Sequence, residues 1–146
     1  MAHAAPASRG ATRQRRRPDV FSARTHAAAK VALPVVLGLV YGYWAAANRR
    51  DSGPITGWNL LFGFLTALVF AVVFAALWEV APRLGRELRA LVWFVFTGCA
   101  VGFLISQSDE SVLKSAGLGA VVGAGVLATL FYRSYTHEDA EGRRVD

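Results

Sequence analysis

The sequence predicts an all-α integral membrane protein: a bundle of four transmembrane helices in an up-down-up-down arrangement, with a basic N-terminal tail and a short polar C-terminal tail. Two observations lead there. Hydrophobic residues make up 54% of the 146 positions, with a mean hydropathy of +0.36, above the roughly 45–50% of a soluble domain even when glycine is counted there. The charges are also segregated. They fall in the first 30 residues, in three short connections and at the C-terminal end, and four long apolar runs lie between them.

Residues 1–26 are rich in Ala, Arg, Pro and Ser, and Arg13, Arg15, Arg16 and Arg17 cluster before Pro18. So little apolar surface does not offset the entropy of ordering, so this stretch is expected to be a disordered cytoplasmic tail. The first apolar run covers about 27–47, the second 58–80, the third 90–106 and the fourth 112–132. Crossing a hydrocarbon core about 30 Å thick takes roughly 20 apolar residues, within a range of about 17–25. Inside lipid the backbone must satisfy its own hydrogen bonds, which selects helix for each run. The alternation that a β-barrel needs is absent. The transmembrane domain is thus expected over 27–133, followed by a polar tail over 134–146.

The second run is the most apolar. Twelve Leu, Val or Phe residues lie between Leu60 and Leu77, worth about 4–7 kcal/mol of insertion before opposing contributions. The fourth is the least apolar, diluted by Gly117, Gly119, Gly123 and Gly125, and is expected to depend on packing against its neighbours. Pro34 falls inside the first run, a placement that transmembrane helices tolerate. A cleaved signal peptide is disfavoured there, because the run exceeds the usual 7–15 residue apolar core of such signals.

The breaks read as turns. Arg49-Arg50-Asp51-Ser52-Gly53-Pro54 is polar with Gly-Pro punctuation, Pro82 and Gly85 mark the second break, and Ser106 to Ser111 form the third. Thr56 is placed to cap the second helix. Connections this short make consecutive helices antiparallel neighbours. Glu79, Arg83 and Glu87 are spaced for two i, i+4 ion pairs if that stretch is helical.

Sidedness follows from the basic residues, which concentrate on the cytoplasmic side. Seven lie at the N-terminal end (Arg9, Arg13, Arg15, Arg16, Arg17, Arg24, Lys30). Three lie between the second and third runs (Arg83, Arg86, Arg89), and three at the C-terminal end (Arg133, Arg143, Arg144). Thirteen therefore oppose three, Arg49, Arg50 and Lys114, and both termini are expected in the cytoplasm. Tyr41, Tyr43, Trp44 and Trp58 would mark the outer interface, and Trp78, Tyr132 and Tyr135 the inner one. Arginine outnumbers lysine, which occurs only at Lys30 and Lys114. Such a bias suits a GC-rich coding sequence and hence a bacterial inner membrane.

Three glycine pairs sit four apart: Gly38 with Gly42, Gly98 with Gly102, and Gly119 with Gly123. Such pairs share a helical face and let backbones approach. In the fourth helix Ala116, Gly119, Ala120, Gly123 and Ala124 gather on one side. This face suits contact within the chain or with a homo-oligomeric or other membrane partner. The first is favoured, because one chain already offers three partner helices. The arginine cluster at 13–17 (Arg13, Arg15, Arg16 and Arg17) could contact anionic lipid, but a topology signal followed by a solvated tail is the favoured reading, and no aromatic interleaving supports nucleic acid.

No catalytic, cofactor or metal constellation stands out. Cys99 is alone in an apolar run, and His137-Glu138-Asp139 lacks further ligands. Deep positions offer only Thr66, Thr97 and Cys99. Ionisable groups at membrane depth mark proton relays and ion paths, and a proton-coupled four-helix pump would need one. The expectation is a non-enzymatic structural or partner-binding membrane component. The alternatives are a small oligomeric channel or transporter, and an accessory subunit of a membrane enzyme.

Overall fold

A computed structural model describes residues 23–50 and 52–137. Four helices follow one another: α1 Ala23–Arg50, α2 Gly57–Val80, α3 Arg86–Ser106 and α4 Val112–His137. All four are long and apolar enough to span a membrane, and no strand occurs among the described residues. Each expected run lies inside a helix. The helices are longer at several polar ends, because helical hydrogen bonding continues past the last apolar residue. α1 begins at Ala23, four residues into the stretch expected to be tail, and runs unbroken through a buried Pro34. α4 continues to His137, inside the stretch assigned to the C-terminal tail.

The helix ends are set locally. The Thr56 side chain accepts from the Asn59 N–H at 3.2 Å, capping α2, a contact worth about 1 kcal/mol. Ser111 accepts from the Lys114 N–H at 3.3 Å and caps α4 in the same way. Between α2 and α3, Ala81–Arg83 forms a single 3-10 turn before the chain extends at Leu84. Arg83 pairs with Glu79 at 2.9 Å on an exposed surface. The second pair expected at Glu87 has no continuous helix beneath it, because Pro82 and the extended Leu84 break the i, i+4 register. The other two connections are tight reversals, each with one non-glycine residue in the left-handed region, Ser52 at φ 66° and Asp109 at φ 55°.

Packing is inverted relative to a water-soluble bundle. The buried apolar residues are mostly alanines, Ala45, Ala67, Ala81 and Ala90, joined by Phe74. The large side chains point outward: Leu113 is 86% exposed, Trp58 72% and Val121 70%. Water would drive such surface inward. In lipid that drive vanishes, and helices associate through close van der Waals contact at small residues.

The molecule is built from two antiparallel hairpins. In the first, Gly38 of α1 lies against Ala67 and Ala71 of α2, and Gly42 against Gly63. In the second, Gly98 and Gly102 of α3 face Gly119 and Ser115 of α4. A layer of aromatic rings joins the hairpins. Phe70 of α2 stacks on Tyr41 of α1 at 4.3 Å between centroids and meets Phe96 of α3 at 5.3 Å. Phe74 meets Trp93 edge-on at 5.6 Å, and Phe62 meets Phe103 at 6.3 Å. Such pairs contribute about 0.5–1.5 kcal/mol each beyond area burial. α4 packs on the side of α3 that faces away from this layer.

Candidate functional site

The residues that do more than fill space lie along two kinds of seam, backbone-to-backbone within each hairpin and polar-aromatic between them. Within the α1/α2 hairpin the approach is so close that a Cβ at Gly42 would overlap the Gly63 carbonyl and sit 2.7 Å from the Ala67 Cβ. At Gly38 it would lie 2.6 Å from the Ala67 carbonyl oxygen. The α3/α4 seam is equally tight. A Cβ at Gly119 would overlap the Gly98 carbonyl, and one at Gly123 would lie 2.7 Å from the Phe94 carbonyl oxygen. Gly98 and Gly102 each have only 3.2 Å to a carbonyl of α4.

The remaining residues of the small α4 face are placed differently. Ser115, Gly119 and Gly123, spaced i, i+4, i+8, are buried against α3. Ala116 and Ala120 are exposed and line a shallow groove of about 510 Å³ beside that seam, and Ala124 is exposed. The line of closest approach thus runs through Ser115, one position away from the alanines. Ser115 can occupy it because its side chain is nearly as small as alanine's. Arg13, Arg15, Arg16 and Arg17 lie outside the described residues, as do Glu138 and Asp139.

Between the hairpins, two side chains of α1 donate to carbonyls of α3. The Tyr41 hydroxyl donates to the Ala100 carbonyl at 2.8 Å, and the Asn48 amide to the Leu104 carbonyl at 3.0 Å. A third bond of this type ties the first hairpin together, from the Asn59 amide to the Ala46 carbonyl at 2.9 Å. Each carbonyl has a second lone pair beyond its helical bond, so the donors are satisfied without breaking a helix. Sequence reasoning assigned Tyr41 to the interface belt and left Asn48 unremarked. The available signal was their spacing: seven residues apart, they share one face of an apolar helix, as do their acceptors four apart on α3.

An open groove of about 390 Å³ lies beside this seam, lined by Tyr41, Phe62, Thr66, Phe96 and Cys99 among others. None of its walls carries a charged side chain. Among the described residues no group of His, Cys, Asp and Glu is disposed to hold a metal ion. The polar groups at depth are hydroxyls, amides and one thiol. Those that form bonds across helices donate to backbone, an arrangement suited to fixing helices rather than to proton transfer.

Neither the family models, nor the curated proteins, nor the solved structures contain a match to this chain.

The charged side chains gather at the helix ends. At the end bearing the 50–57 and 106–112 connections, Arg49 lies 4.4 Å from the centre of the Phe62 ring and Lys114 pairs with Glu110 at 2.6 Å. At the opposite end Arg86 lies 4.9 Å from the Tyr135 ring. A guanidinium on an aromatic face is held by the ring quadrupole while its outer edge stays wet.

Proposed function

We propose that this chain is a non-enzymatic component of a bacterial inner membrane, spanning it four times up-down-up-down with both termini in the cytoplasm. Its work is packing and partner binding rather than chemistry. One observation carries this reading: the four apolar helices turn large hydrophobic side chains outward and join through glycine, alanine and backbone-directed polar bonds. Lipid is the solvent in which that arrangement is stable. Both hairpins leave outward faces, on α1 and α2 and on α4, that are free for lipid or for a second membrane protein.

Among the described residues no Asp, Glu, His, Lys or Arg side chain lies at depth, which supports the non-enzymatic assignment and argues against a coupled transporter. Liposomes containing the purified protein should move solutes no faster than empty vesicles, and solute flux above that background would overturn the assignment. Sidedness is tested by reporter fusions at Ser52 and Ser108. Both should report as extracytoplasmic, and a cytoplasmic signal at either site rejects the orientation.

A further inference from the structure

We propose that the outer face of the α1/α2 hairpin is a binding groove for one anionic phospholipid of the extracytoplasmic leaflet, with Arg50 holding the phosphate and the groove holding an acyl chain. This rests on the bilayer-spanning reading above and adds a specific ligand to it.

The groove has a volume of about 270 Å³. Its floor is Gly42, Ala46, Gly63 and Ala67, the small residues that bring the two helices together. Tyr43 and Phe64 stand as walls, and both are exposed. At about 100° per residue, Leu39, Tyr43 and Arg50 project roughly 160–180° away from Tyr41, which faces α3. The groove therefore opens away from the rest of the protein, towards lipid. From Arg50 to Leu39 it runs eleven residues along α1, about 16 Å at the helical rise. That is about half of a ~30 Å hydrocarbon core, the depth of a single leaflet and hence of one acyl chain.

Charge identifies the headgroup. Three basic residues lie at this end of the molecule, Arg49, Arg50 and Lys114. Arg49 is engaged by Phe62 and Lys114 by Glu110. Arg50 lines the groove, its Nε is buried without a hydrogen-bond partner, and among the described residues its guanidinium has no ion pair. A planar guanidinium matches a phosphate with two parallel hydrogen bonds. The unpaired positive charge of Arg50 favours a headgroup of net negative charge over one that carries its own cation. Trp58, largely exposed in the first turn of α2, marks the headgroup level at which a phosphate would sit.

The test uses the full chain in detergent micelles, titrated with phosphatidylglycerol or with phosphatidylcholine of the same acyl chains, and native mass spectrometry counts the lipid retained. One phosphatidylglycerol should be held at concentrations where phosphatidylcholine is not. Arg50→Gln should weaken phosphatidylglycerol about tenfold, the scale of one lost charge-assisted bond, while Lys114→Gln leaves it unchanged. Ala47→Trp, which fills the groove from its wall, should weaken it with Arg50 intact. Equal retention of both lipids, undiminished binding by either Arg50→Gln or Ala47→Trp, or retention of a second protein copy in place of lipid would each overturn this site. A chain that remains membrane-inserted in those cases leaves the four-span reading standing.

Discussion

Replacing Gly42 with alanine adds a single methyl group where the α1/α2 seam has no room. The new Cβ would lie 2.7 Å from the Ala67 Cβ and 2.9 Å from the Ala67 nitrogen. Carbon atoms rest about 3.5–4.0 Å apart, so the helices must separate by about 1 Å. A gap of that size forfeits about a quarter to a half of each van der Waals contact across the seam. With on the order of 40 atom pairs at about 0.1–0.2 kcal/mol each, the loss is about 1–4 kcal/mol. Alanine returns up to about 1 kcal/mol through its better helix propensity. The bond from Asn59 to the Ala46 carbonyl, now 2.9 Å, would stretch out of range and add about 0.5–1.5 kcal/mol to the loss. The expected net effect is a destabilisation of about 0.5–4.5 kcal/mol, read as a lower thermal midpoint by circular dichroism in detergent micelles. Gly117→Ala is the control, since nothing lies within 4 Å of a Cβ there, and it should be neutral or slightly stabilising. Equal stability of Gly42→Ala and the wild type, or an equal loss in Gly117→Ala, would refute the claim that close backbone approach holds the hairpin.

Other substitutions test the second seam and the helix ends. Asn48→Ala removes the bond to the Leu104 carbonyl and should cost about 0.6–1.5 kcal/mol, with Tyr41→Phe costing a similar amount at Ala100. Phe70→Ala removes the ring shared by Tyr41, Phe74 and Phe96; three ring pairs at about 0.5–1.5 kcal/mol each give an expected loss of about 1.5–4.5 kcal/mol. Thr56→Ala should cost about 1 kcal/mol and increase amide exchange in the first turn of α2. Glu79→Gln, which breaks an exposed pair, should change the thermal midpoint by less than the error of measurement.

The helices were legible because their signal is one-dimensional. An uncharged run such as 58–80 has few stable fates in lipid, and Thr56 announces the start of α2 by residue type alone. The glycine pairs were legible as surfaces, since spacing four apart fixes a shared face. Their partners were not, because spacing on one helix carries no information about which other helix comes close. The register by which Ser115 rather than Ala116 faces Gly102 is likewise a property of two helices together. The aromatic layer was hidden for the opposite reason. Phe62, Phe70 and Phe74 look like lipid-facing residues in a uniformly apolar helix, and α2 has too little polar contrast to reveal which side faces α3. The groove beneath Tyr43 and Phe64 exists only because Gly42 and Gly63 draw the helices together below two large rings.

The central claim is that lipid is the solvent for the four helices. Extraction of membranes with alkaline carbonate followed by ultracentrifugation tests it most directly. The protein is expected to remain entirely in the membrane pellet and to enter solution only with detergent. Recovery of folded, monodisperse protein from a detergent-free supernatant would contradict the account.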